Sequence, residues 1–295
     1  MKFKLALAQM APRLGDVETN LRGILALAAQ AHAQGADLAI FPELALTGYY
    51  LKDLVTEVGA RPAPDDPRFA PLLAASRQLD LVVGFVEEDA RHRYYIAAAY
   101  LSEGRVVSVH RKVYLPTYRL FDDARFFAPG NSFRAFDTRF GRVGLLICED
   151  AWHVSSPYVL WMDGADILID VSASPGYGVP AHAPNAGSSM SGELMNAATV
   201  NTFLRTYAEL LTTYVFYSNR VGVEDGIAFW GGSRVIGPDG ETVAAAPQFE
   251  ETLMLVDIDL DALRRARLKL PTLRDEQSEL VRHELGRIAK RELDR

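Results

Sequence analysis

Three residues of complementary chemistry stand at matching places along the chain. Glu43 lies just past the apolar run LAIF, Lys112 ends VVSVHRK, and Cys148 ends VGLLI. A thiol, a carboxylate and an ammonium group together suit nucleophilic attack on a carbonyl carbon. A free thiol with a pKa near ~8.5 is a poor nucleophile at neutral pH unless a base or cation assists it. A carboxylate takes that proton only if its own pKa is raised. Moving a glutamate from about 4.3 to about 7 needs roughly 3.7 kcal/mol, which burial supplies. A lysine close by would stabilise the thiolate and then the oxyanion, and losing one such donor costs about 3–4 kcal/mol in the transition state.

Each residue also has an ordinary reading. Glu43 after a buried strand suits a solvated loop carboxylate, and Lys112 beside Arg111 suits an exposed surface charge. A lone cysteine is more often a small buried hydrophobe than a nucleophile. Cys148 is the informative position, because the apolar strand turns at once into Glu149 and Asp150. If all three follow the carboxyl ends of strands, they converge where ligands gather in α/β sheets.

The elements that would position them are legible from periodicity. Residues 3–10 read as an opening strand. Asp16 reads as the N-cap of a helix with apolar residues at 21, 24, 25 and 28, running to Ala33 and closed by Gly35. ADLAIF then reads as a strand buried on both faces. A second helix is expected over 67–80 with Pro67 in its first turn, followed by LVVGFVEE. A third has Ser156 and Pro157 as N-cap and first residue, ends at Gly164, and leads into ILIDVSAS. QGADLAIFPE and DGADILIDVS share one arrangement of helix end, glycine, Ala-Asp and buried strand. Hairpins are expected around Ser102-Glu103-Gly104, near Gly141, and around Pro238-Asp239-Gly240. A long helix spans roughly 189–211 and precedes the strand TYVFYSN.

The whole chain of 295 residues carries a net charge of −7, with 49% hydrophobic and 23% charged residues. This composition supports a large core and argues against a dedicated nucleic-acid binder, which needs a basic face. No run of eighteen apolar residues suggests a membrane span, and the first residues do not resemble a secretory leader. With one cysteine there is no internal disulfide, so a cytoplasmic location is expected. The six histidines show no ligand spacing, so a zinc site is not expected. His153 and His182 are the candidates for a Cys–His protease, but no protease-like motif surrounds Cys148. No linker divides the chain. Residues 1–260 read as one domain, with 261–295 as its charged C-terminal helical extension.

FPELALTGY around Glu43, HRKVYLP around Lys112 and LLICEDAW around Cys148 resemble the three catalytic signatures of the nitrilase, or carbon–nitrogen hydrolase, superfamily. ALAQMAP, FFAPG at 126–130 and FWGGSRVIGPDG at 229–240 agree, so the resemblance covers residue 4 to about 260. It implies an α/β fold, a four-layer α-β-β-α sandwich paired through outer helices into homodimers or larger homo-oligomers. It implies Glu43 as general base and then acid, Lys112 as oxyanion donor and Cys148 as nucleophile. The backbone N–H of Glu149 would complete the oxyanion hole. Many members carry a second glutamate before the FFAPG region; here that position is Asp123, one methylene shorter, with Asp122 beside it.

More narrowly, FPELALTGYYLKDL, ICEDAW and DVSASPGY at 170–177 look like the glutaminase domain of glutamine-dependent NAD synthetases. No Gly-rich phosphate loop of the synthetase kind is present, so the expectation is a free-standing relative of the glutaminase part. The implied reaction is hydrolysis of a small amide by water, without cofactor, through a thioester on Cys148. Tyr49, Tyr118, Trp152 and Tyr177 follow the motifs closely and are candidate pocket walls. Rival substrates are a carbamoyl amine, an aliphatic amide or a nitrile. Rival classes are a subunit that supplies ammonia to a partner synthetase, and a binding protein without turnover.

Overall fold

The computed structural model describes residues 1–176 and 194–293. Tyr177 and His182 lie outside them. The strands are β1 (Lys2–Gln9), β2 (Leu38–Ile40), β3 (Asp80–Glu88), β4 (Tyr94–Ser102), β5 (Arg105–Arg111), β6 (Phe136–Thr138) and β7 (Gly141–Ile147). There follow β8 (Ile167–Ser172), β9 (Tyr214–Asn219), β10 (Val221–Glu224), β11 (Ile227–Trp230), β12 (Arg234–Ile236), β13 (Thr242–Ala245) and β14 (Thr252–Asp259). One six-stranded sheet runs β14-β1-β2-β3-β4-β5 and another β13-β12-β9-β8-β7-β6; β10 and β11 form a separate ribbon. In each sheet three parallel strands, β1-β2-β3 or β9-β8-β7, are flanked by antiparallel ones.

The helices are α1 (Val17–Ala33), α2 (Val55–Val58), α3 (Ala70–Ala75), α4 (Asp123–Phe126) and α5 (Ser155–Met162). After them come α6 (Met195–Leu210), α7 (Asp261–Lys269), α8 (Thr272–Asp275) and α9 (Ser278–Leu293). Strand alternation sorts the apolar residues into three layers of core. Leu5, Leu7, Ile40 and Val82 face Leu145, Ile147, Ile169 and Phe216 between the sheets. Ala6, Ala8, Ala39 and Val83 pack outward with Ile24, Ala28, Leu72 and Leu73 of α1 and α3. Leu146, Leu168 and Val215 pack outward with Leu160 of α5 and Val200 and Leu204 of α6. The result is the four-layer α-β-β-α sandwich. Each fully buried aliphatic side chain in it contributes roughly 1.5–3 kcal/mol.

The recurring Gly-Ala-Asp motif has a structural cause. Gly35 (φ 80°) and Gly164 (φ 87°) end α1 and α5 in the left-handed region. Asp37 then exchanges backbone bonds with β1, its N–H donating to the Lys4 carbonyl and its carboxylate accepting the Lys4 N–H. Asp166 does the same with Arg142 of β7. Each Asp thereby sets the register of a central parallel strand, β2 or β8, against its neighbour.

Asp16 caps α1 by accepting the Thr19 N–H at 3.0 Å. The expected helix over 67–80 shrinks to Ala70–Ala75, because Asp66 takes the Arg61 and Arg68 N–H groups into a turn that uses up the first residues. The third helix begins at Ser155, so Ser156 and Pro157 sit inside its first turn rather than at the cap. A proline is tolerated there because the first N–H groups of a helix have no intrahelical partner. Beyond β14, Leu263 of α7 joins the core between the sheets, whereas Leu280, Leu285 and Ile288 of α9 are exposed.

Candidate active site

The carboxyl ends of β2, β5, β7 and β8 meet at one place. Glu43 is three residues beyond β2, Lys112 directly follows β5, Cys148 directly follows β7, and Ala173 directly follows β8. Two close backbone approaches make this possible. A Cβ on Gly84 of β3 would collide with the Pro42 carbonyl, so only glycine lets the Glu43 turn lie across β3. A Cβ on Gly130 would collide with the Arg111 carbonyl, and the Gly130 N–H donates to the Lys112 carbonyl at 2.8 Å. The FFAPG segment thus backs the lysine.

Lys112 is fully buried, its Nζ 2.8 Å from Glu43 Oε1 and 2.8 Å from Asp123 Oδ2. The Ala173 N–H donates to the other Glu43 oxygen at 2.8 Å, and the Tyr49 hydroxyl donates to Asp123 Oδ1 at 2.6 Å. Tyr49 is itself held by its backbone: its N–H and that of Tyr50 donate to Glu224, which pairs with buried Arg220. Burial raises the Glu43 pKa, against the pull of Lys112. Burial alone would lower the lysine, but Asp123 and Glu43 outweigh it and hold the ammonium well above the usual value. Burial, then the Glu43 charge, pushes the Cys148 thiol up. The resting site therefore holds a thiol beside a carboxyl whose proton affinity is raised. This arrangement couples deprotonation of the sulfur to protonation of the glutamate.

Cys148 has φ 48°, a left-handed conformation that costs a non-glycine residue on the order of 1 kcal/mol or more. The turn is secured by two acids that the sequence reading did not single out for a role. Asp150 is fully buried; its carboxylate accepts from Ile147 N–H (3.1 Å), Val113 N–H (3.0 Å) and Tyr114 N–H (3.1 Å), and lies 2.8 Å from His110 Nε2. It ties the lysine strand to the cysteine turn. Asp170 of β8 accepts the Cys148 N–H at 3.0 Å and the Ser172 hydroxyl at 3.1 Å. The available signal was an acid inside the largely apolar, fully buried strand ILIDVS, where a carboxyl needs bonding partners to survive burial.

At the rim, the Tyr118 hydroxyl donates to Glu149 at 2.9 Å, and His153 Nε2 is 3.9 Å from the same carboxylate. Burial raises the Glu149 pKa. His153 stacks on Tyr114 with centroids 3.5 Å apart. Trp152 is exposed and packs edge-on to Phe203 of α6. Tyr49 is buried, with its hydroxyl engaged by Asp123. Asp122 is exposed and pairs with Arg125, so Asp123 alone of the two reaches Lys112. Among the described residues, no group of three or more His, Cys, Asp or Glu side chains could hold a metal ion.

The sequence profile of the carbon-nitrogen hydrolase family matches residues 4–268. The chain belongs to that family. This hydrolase is 31% identical over 263 residues to the glutamine-dependent NAD(+) synthetase of Acinetobacter baylyi, covering 89% of this chain and 45% of the relative. Among solved structures, it superposes on the glutamine-dependent NAD+ synthetase of Acinetobacter baumannii with a TM-score of 0.76 at 31% identity, covering 89% of this chain and 47% of that one. A carbon-nitrogen hydrolase from Helicobacter pylori G27 shares the fold with a TM-score of 0.83 at 24% identity, covering 97% and 99% of the two chains. The hydrolase thus spans about half the length of the synthetases it matches.

Proposed function

We propose that the protein is an amidase of the glutaminase type, hydrolysing a small primary amide through a thioester on Cys148. The observation that carries this reading is the buried Lys112, held between Glu43 and Asp123 and acting electrostatically on Cys148. Glu43 takes the thiol proton as sulfur attacks the amide carbon. Lys112 and the Glu149 N–H receive the oxyanion. Glu43 returns the proton to the nitrogen, the C–N bond breaks, and ammonia leaves an acyl thioester. Glu43 then takes a proton from water, whose oxygen attacks the thioester; the acid departs and the thiol is restored. Asp123, anchored by Tyr49, keeps the lysine aimed.

Two observations favour glutamine as the amide. The two Acinetobacter relatives are named glutamine-dependent, and Glu149 with Tyr118 offers an acid near the nucleophile where an α-ammonium group could be received. Ammonia from such a reaction would pass to a synthetase, which we propose as the partner class.

The test is ammonia release from L-glutamine, aliphatic amides, N-carbamoyl amines and a nitrile, with Cys148→Ala as the blank. Release from glutamine that vanishes in the variant supports the reading. Release from another compound alone keeps the mechanism and moves the substrate class. Release that persists in Cys148→Ala refutes both.

A further inference from the structure

Asp170 is 1% exposed, in the middle of the central strand β8, and the mechanism above does not use it. Its Oδ1 accepts two hydrogen bonds, from the Cys148 N–H and the Ser172 hydroxyl. Among the described residues no cation forms an ion pair with Asp170; Arg234 of β12, the register partner of Tyr217, acts on that tyrosine. From the cysteine turn, Cys148 and the carboxylate of Asp150 face Asp170; Glu43 acts on it from the β2 side. Tyr217 is its register partner on β9, and Tyr207 of α6 feels its charge. Lys112, the cation of the site, is committed to Glu43 and Asp123. An ionised carboxyl here would add a further buried anion near the sulfur, with no described cation paired to it.

We propose that Asp170 is a positioning residue of the cysteine turn that works as a neutral carboxylic acid, holding the Cys148 N–H in place while adding no charge beneath the sulfur. The inference rests on the reading of Cys148 as nucleophile. Hydrogen bonding is compatible with this form: both donors meet Oδ1, and no described group donates to Oδ2. A protonated carboxyl offers one accepting oxygen and one donating O–H, the same pattern as an amide, whereas a carboxylate only accepts. The strained φ of Cys148 needs the accepting oxygen, since nothing else described binds that N–H. Burial, the leading cause, raises the Asp170 pKa to about 8, so the neutral form prevails at pH 7. Above that value the acid ionises, and the new anion opposes both the thiolate and the oxyanion.

The experiment compares Asp170→Asn and Asp170→Leu with the unaltered chain, reading alkylation of Cys148 by iodoacetamide from pH 6 to 10 and ammonia release from L-glutamine at pH 7. Asparagine reproduces the neutral acid. Its alkylation curve should coincide with that of the unaltered chain at pH 6–7 and run faster above about pH 8, where Asp170 ionises. Leucine removes the acceptor. It should lower kcat about tenfold or more with KM little changed, and asparagine should restore most of the loss, as expected for one hydrogen bond held through the barrier. A constant ratio between the alkylation curves at every pH would show Asp170 already ionised and overturn the proposal, as would curves that coincide throughout. Alkylation also decides the matter if Asp170→Leu does not fold or if glutamine is not the substrate. Failure of the hydrolase reading shows separately, as ammonia release that survives in Cys148→Ala.

Discussion

The Lys112 ammonium pairs with both Glu43 and Asp123 beside the sulfur, and each partner has a measurable share in what it does. Replacing Lys112 by Met leaves Glu43 and Asp123 buried without their cation; kcat/KM should fall about 10²–10³-fold, the range for one lost oxyanion donor. Such a variant should also unfold more easily, because breaking a buried ion pair strands a charge at a cost of about 3–5 kcal/mol. Thermal melting at pH 7 reads this. Tyr49→Phe removes only the hydroxyl that anchors Asp123. It should lower kcat up to about tenfold while the fold stays intact, as one bond to a charged group is worth roughly 1.5–3 kcal/mol, not all of it expressed in the barrier. Glu149→Gln keeps the backbone N–H and removes the charge near the nucleophile. With glutamine as substrate it should raise KM with a smaller change in kcat, as read from initial rates of ammonia release.

Elements deliver these residues through backbone that carries little side chain. Gly84 and Gly130 are where two segments pass too close for a Cβ. Gly84→Ala should destabilise the fold by about 1–3 kcal/mol, the usual cost of forcing atoms into a packed core, and should reduce turnover further by displacing Glu43. Urea midpoints compared with residual kcat separate the two effects. Among the strands that end at the site, β2 and β8 were readable because an apolar run opened by Gly-Ala-Asp after a helix suits a parallel strand buried on both faces. Glu43, Lys112 and Cys148 stood out because reactive side chains broke off strand-like runs. Asp150 and Asp170 were harder to place, since their value lies in bonds to backbone N–H groups of other segments, a long-range property. Asp123 could be located by counting from Pro129, but only the fold shows that its shorter side chain still reaches Lys112 at 2.8 Å. The helix over 70–75 fell short of its expected span because Asp66 diverts the chain into a turn, a local competition that periodicity does not register.

For the molecule as a whole, two sheets that share one parallel-strand plan enclose a core between them, and the reactive groups collect at one end of that core. Burying acids there has a consequence for stability. Asp170 binds its proton more tightly in the folded chain, with a pKa of about 8, than in an unfolded one near ~3.9. Its contribution is therefore fully present below about pH 4 and lost as pH rises through about 8. Asp170→Asn does not titrate, so it should flatten this part of the profile and gain most in melting temperature over the unaltered chain at pH 8–9. The most direct test of the thioester mechanism is intact-protein mass spectrometry of rapidly quenched turnover with L-glutamine and, in parallel, an aliphatic amide. The expected result is a transient acyl adduct on the peptide that carries Cys148, absent in Cys148→Ala. Steady ammonia release from either amide with no adduct at any quench time, undiminished in Cys148→Ala, would contradict it.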